Sequence, residues 1–124
     1  MTDLEPPPAA LPPPVARFIA AVNAGDLDAM VATFAAHAMV NDQLREYWDK
    51  PAIATWARRE IIGQRLCIEV RSAILNHEQT VVAAAIDGIF DKRGLPDPLV
   101  VTFYFSTRHD RVIQLVILRN EPND

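Results

Sequence analysis

The chain changes its hydrophobic rhythm once, near its middle. Before that point apolar residues recur at helical spacing: Val15, Phe18, Ile19 and Val22, then Leu27, Met30, Val31 and Phe34 at i, i+3, i+4 and i+7. Gly25 supplies a left-handed stop between the two helices, and Asp26 can cap the second, with Asp28 favourable in its first turn. A polar stretch, 37–49, follows. A third helix is predicted from Asp49-Lys50-Pro51, where aspartate can cap and proline is tolerated in the first turn; it should bury Ile53, Trp56 and Ile61 before Gly63. From Arg65 onward the period is two, with Leu66, Ile68 and Val70 alternating against Cys67, Glu69 and Arg71. Strands are predicted near 65–75, 79–90, 98–107 and 111–119, joined by turns at Asn76-His77, at 91–98 and at Arg108-His109-Asp110. Helices first and an antiparallel sheet after is an α+β order.

Composition refines the boundaries. Six of the ten prolines precede Val15, which predicts an extended, proline-rich arm over 1–12, one folded domain over 13–120 and a short tail over 121–124. A chain of 124 residues buries roughly two-thirds of its unfolded surface, enough for a core and a small pocket without disulfides or a structural metal. The net charge is −4 and the basic residues are scattered, so there is no cationic stripe for nucleic acid. The longest apolar runs, 81–86 and 115–118, fall far below the roughly 18 residues of a membrane-spanning helix. No basic start leads into an apolar stretch, and the single Cys67 fits a reducing compartment, so a cytoplasmic location is expected.

Two carboxylates stand out. Asp42 follows the apolar pair Met39-Val40; a carboxylate there can take a proton from a carbon beside a carbonyl or activate water, or it can be a solvated loop residue beside Asn41. Asp87 interrupts the apolar run 81–90, facing either a pocket with Ala83 and Ala85 or water on the other side of the sheet. His37, His77 and His109 have no local ligand spacing, and neither the serines nor the four glycines form a nucleophile elbow or a phosphate loop. No metal and no cofactor are expected.

The stretch Arg17-Phe18-Ile19-Ala20-Ala21-Val22-Asn23-Ala24-Gly25-Asp26-Leu27-Asp28, then Phe34 and Val40-Asn41-Asp42, resembles the nuclear transport factor 2-like superfamily, in its SnoaL-like and ketosteroid-isomerase-like branch. Pro51-Ala52-Ile53-Ala54-Thr55-Trp56, Ile86-Asp87-Gly88-Ile89-Phe90 and the closing runs 100–105 and 112–118 fit as well. The resemblance implies a cone: a curved, mostly antiparallel sheet wrapped on three N-terminal helices, with a pocket at its open end, frequently in a homodimer. It places Asp42 at the position of the isomerases' catalytic aspartate. It also places Phe18, and Val101 (or Thr102, one register on), where those enzymes carry oxyanion-hole donors, which argues against steroid isomerisation. The epoxide hydrolase set of aspartate, arginine and aspartate falls at Asp87, Ala85 and Ile117, so only Asp87 remains of it.

The pocket is therefore expected among Phe18, Val22, Phe34, Trp56 and Val101, with Phe103, Leu115 and Ile117 on the inward strand parity that Phe105 and Ile113 share. Tyr47 and Trp48 are expected to form a lid. The outward set Thr102, Tyr104, Gln114 and Val116 is expected to form a homodimer face. Two readings follow: a cofactor-independent acid/base enzyme (isomerase, lyase, cyclase or hydrolase) acting through Asp42, with Asp87 as a second candidate, on a small apolar carbonyl compound; or a dimeric ligand-binding or accessory module of the same fold without catalysis.

Overall fold

Pro13–Ala24 forms helix α1 in the computed structural model of the chain, which describes residues 11–119. Apart from Leu11 and Pro12, the proline arm lies outside the described residues, as does the 121–124 tail. Leu11 is already buried against the core. Gly25 ends α1 at φ 68°, and the Asp26 carboxylate accepts the Ala29 N–H at 3.0 Å to start α2, Leu27–Ala32.

α2 is shorter than its apolar spacing suggests. The Thr33 hydroxyl donates to Met30 O at 2.7 Å and Thr33 O accepts the Val112 N–H at 2.8 Å, so the chain leaves the helix one residue before Phe34. Phe34 therefore opens strand β1, Phe34–Asp42, and the polar stretch after it is a hairpin of β1 with β2, Arg45–Trp48. Tertiary pairing overrides the helical reading of Phe34, because β1 lies between β2 and the last strand.

Helix α3, Asp49–Trp56, starts where the sequence places it and runs on into a π-helical turn, Ala57–Ile62, closed by a hydrogen bond of 2.8 Å from Gly63 N–H to Arg58 O. Strands β3 (Cys67–Asn76), β4 (Gln79–Asp87), β5 (Leu99–Arg108) and β6 (Arg111–Arg119) follow as a meander. The six strands form one open sheet in the order β2-β1-β6-β5-β4-β3, antiparallel except where β1 runs parallel to β6. The fold class is α+β, with the helices covering one face.

That face carries the core: Val40, Val82, Ala84, Phe103, Phe105 and Leu115 from the sheet against Val15, Phe18, Met30, Ile53 and Trp56 from the helices. A register shift at Ser106/Thr107 puts Val112 in the core and leaves Ile113, expected inward by parity, only half-buried. Gly88 lies where a Cβ would come within 2.6 Å of Gln64 O, and the Ile89 N–H donates to that same oxygen at 2.8 Å. This contact ties the end of β4 to the corner after the π-helical turn.

The β1–β2 turn is strained. Gln43 (φ 53°) and Leu44 (φ 73°) both adopt left-handed backbone, which a two-residue hairpin loop of this hand requires and which glycine or asparagine normally supplies. Leu44 is 81% exposed and loses little packing on truncation. Leu44→Gly is expected to raise stability by about 0.5–1 kcal/mol in chemical denaturation; a loss of stability would show that the turn is held by Leu44 contacts instead.

Candidate functional site

The corner formed by the π-helical turn, the ends of β1, β5 and β6, and the 88–98 connection holds a cavity of about 320 Å³ that is open to solvent. Ile61, Leu66, Phe90, Val101, Phe103 and Ile117 give it apolar walls, and Asp42, Gln43, Glu60, Gln64 and Arg119 bring polar groups to it. Such a volume lies at the small end of ligand pockets. The π-helical turn contributes Glu60 and Ile61 to the wall, so the irregularity in the helix helps shape the site.

Asp42 is the last residue of β1 and faces inward, paired in register with Ile117. Its Oδ2 accepts the indole N–H of Trp56 at 3.0 Å and its Oδ1 a longer bond of 3.4 Å from Gln43 Nε2. Trp56 is buried to 1% exposure, and a buried indole N–H needs an acceptor. A backbone carbonyl would serve that need; a half-buried carboxylate serves it too and adds an acid/base group on the cavity wall. Tyr47 faces inward from β2 and its ring lies 6.1 Å from that of Trp56, which holds the indole from behind.

A second, larger cleft of about 740 Å³ shares Ile86, Phe90, Leu95 and Leu99 with the first and has Glu69, Arg71, Asp87 and Lys92 on its other side. Two pairs of its charges face each other: Lys92 Nζ lies 2.7 Å from Asp87 Oδ1 and Arg71 Nε 3.9 Å from Glu69 Oε1. Asp87 is the outward-parity end of β4, with its side chain 76% exposed. The Lys92 ammonium and the Gly88 N–H hold its carboxyl below the usual carboxylate range, as a solvated ion pair. Asp87 shares its parity with Ala83 and Ala85 and lies with Ala85 on the larger cleft, largely exposed to water, and it is not on the cavity that contains Asp42.

No family model and no curated protein matches the sequence of the chain. Solved structures do match. A protein from Sinorhizobium meliloti assigned as a polyketide cyclase superposes with a TM-score of 0.80 at 25% identity, over 90% of this chain and 98% of that one. The fold is that of the nuclear transport factor 2-like proteins. A protein of ketosteroid isomerase-like fold from Catenulispora acidiphila, solved with trimethylamine, matches at TM-score 0.72 and 18% identity, over 87% of this chain and 85% of that one. The epoxide hydrolase/cyclase-like enzyme SalBIII, of pyran ring formation in the polyether salinomycin, matches at TM-score 0.70 and 20% identity, over 86% and 88% of the two chains. Within the nuclear transport factor 2-like fold, the likeness is to this polyketide-cyclase and ketosteroid-isomerase-like branch.

The nuclear transport factor 2-like frame sorts the expected site residues. Asp42, Val101, Phe103 and Ile117 meet on one cavity, with Trp56 bonded to the carboxylate behind its wall. Phe18, Val22, Phe34 and Leu115 do not line it: they are fully buried beneath it, Phe18 ringed by Phe34, Phe103 and Phe105 at centroid distances of 5.9, 6.4 and 5.4 Å. Trp48 is not a lid. It alternates with Tyr47 at the end of β2, so its ring falls on the outer face, 58% exposed, and its N–H donates to Glu46 at 3.1 Å. Sequence reasoning missed Gln43, Glu60, Gln64, Phe90 and Leu95. The π-helical turn and the 88–98 connection bring Glu60, Phe90 and Leu95 to the cavity, and neither leaves a periodic signal in the sequence.

Proposed function

We propose that the chain is a cofactor-independent acid/base enzyme of the isomerase, lyase, cyclase or hydrolase type, acting on a small, largely apolar carbonyl compound, with Asp42 as the proton-transferring group. The observation that carries this reading is a carboxylate fixed by a buried indole N–H on the wall of a small cavity with apolar sides. The remaining lone pairs of Asp42 can take a proton from a carbon beside the carbonyl, or from water, and return it at a second position. With Phe18 and Val101 unable to donate, a group that could polarise the carbonyl oxygen is the side-chain amide of Gln64, a residue of the cavity lining. The neighbours named for polyketide cyclisation and epoxide opening support the class of chemistry. The exposed, free Cys67 accords with a reducing compartment such as the cytoplasm.

The test is a mass-spectrometric comparison of a metabolite extract incubated with wild type and with Asp42→Asn. Consumption by wild type alone is the expected result, and the mass consumed names the reaction. Retention of a compound by both proteins without consumption would make the chain a binding module.

The same reading includes a homodimer through the outer face of the sheet. Ile74, Val81, Tyr104 and Val116 stand side by side across β3, β4, β5 and β6 in a single cross-strand row, with Ile74 65% exposed. An apolar row of this kind is ordinarily covered. Tyr104→Glu is expected to convert a wild-type dimer into a monomer in sedimentation velocity, and a wild type that sediments as a monomer at all concentrations would refute the dimer. No described helix is long and apolar enough to cross a membrane.

A further inference from the structure

β1 stops pairing with β6 at Asp42, opposite Ile117, because the next residue turns into left-handed backbone at φ 53°. The side chain of that residue continues the ladder the backbone has left. Gln43 N–H and Gln43 Nε2 both donate to Ile117 O at 3.0 Å, and Gln43 Oε1 accepts the Arg119 N–H at 3.2 Å. The amide thus satisfies one donor and one acceptor of β6, as a further peptide of β1 would have done. One hydrogen of Nε2 remains, and the acceptor in reach is Asp42 Oδ1, at 3.4 Å.

We propose that Gln43 is the positioning residue of the Asp42 site. The inference rests on the acid/base reading of Asp42 and adds a second anchor to it. Trp56 holds one carboxylate oxygen and Gln43, through a longer bond, restrains the other, so rotation of the carboxylate plane about its bond to Cβ is opposed from two sides. An amide already clamped at both ends to β6 has little freedom left to lose, and its grip on Oδ1 comes at small entropic cost. The two anchors approach from different elements, α3 and the β1–β2 turn, so the lone pairs that remain open are the ones available to a molecule in the cavity.

The test reads the Asp42 side-chain carboxyl carbon and the Trp56 indole N–H by NMR in the full chain, at one neutral pH and without any substrate. Asp42→Asn assigns the first resonance and Trp48→Phe separates the two indoles. Gln43→Met keeps the length of the side chain and removes its amide. It is expected to move the Asp42 resonance by more than a linewidth and to speed exchange of the Trp56 indole proton several-fold. Leu44→Gly, in the same turn, should leave both signals in place. Gln43→Glu, which exchanges the donor for a second carboxylate, should move the Asp42 resonance as well, and it keeps the test open should the methionine variant not fold. Unmoved Asp42 and Trp56 signals in a folded Gln43 variant, even with a lower melting temperature, would reduce Gln43 to a clamp on the turn and overturn the proposal. Moved signals in a protein that consumes nothing from a metabolite extract would uphold the positioning and sink only the acid/base reading.

Discussion

Asp42→Asn is expected to lower kcat on the consumed compound by about 10²–10⁴-fold, the usual weight of a positioned general base. The substitution is nearly isosteric, and its oxygen can still accept the Trp56 N–H, so the fold should persist with a stability loss of no more than about 1.5 kcal/mol. The new amide nitrogen then meets Gln43 Nε2, donor against donor, where a weak bond was. Steady-state kinetics beside a denaturation curve checks both parts. A large loss of kcat with KM little changed assigns Asp42 to the transition state, whereas equal turnover by the two proteins would remove it from the chemistry.

Phe18→Ala is expected to cost about 3–5 kcal/mol of unfolding free energy, the range for deleting a buried aromatic side chain. Phe18 is fully buried and touches three other rings edge-on, so a cavity left there cannot collapse without moving Phe34, Phe103 or Phe105. Because Phe103 also forms part of the wall near Asp42, the loss should weaken ligand retention as well as stability. Urea denaturation measures the first effect, and a change under about 1 kcal/mol would show that the cluster repacks.

The C-terminal sheet was legible in the sequence, most plainly at β4, which alternates cleanly: Thr80, Val82, Ala84 and Ile86 face in while Gln79, Val81, Ala83 and Ala85 face out. The β1–β2 hairpin was not. Its inward residues include Ala38 and Asp42, its ladder to β6 breaks between Phe34 and Met39, and its turn holds glutamine and leucine in place of the usual glycine or asparagine. Phe34 fits a helical stripe only while its strand partner, 78 positions later, is ignored.

The candidate site divides along the same line. Asp42 and Val101 were placed by resemblance, and Phe103 and Ile117 by strand parity. Trp48 was misplaced because the polar stretch read as a loop, in which alternation says nothing of direction. Gln43 carried no signal at all: its partners, Ile117 and Arg119, are more than seventy residues away.

The parallel pairing of β1 with β6 sets an order of events during synthesis. A ribosome releases 34–42 early and 111–119 among the last of the described residues, so the hairpin that carries Asp42 waits, one edge open, for nearly the whole remainder of the chain. The β3–β4–β5 meander needs no such wait, since each strand pairs with its sequence neighbour. The corner around Asp42 is therefore the last part of the molecule to be assembled, and a nascent chain stalled before Arg111 holds every candidate polar group of the site except Arg119 but not the strand that brings them together.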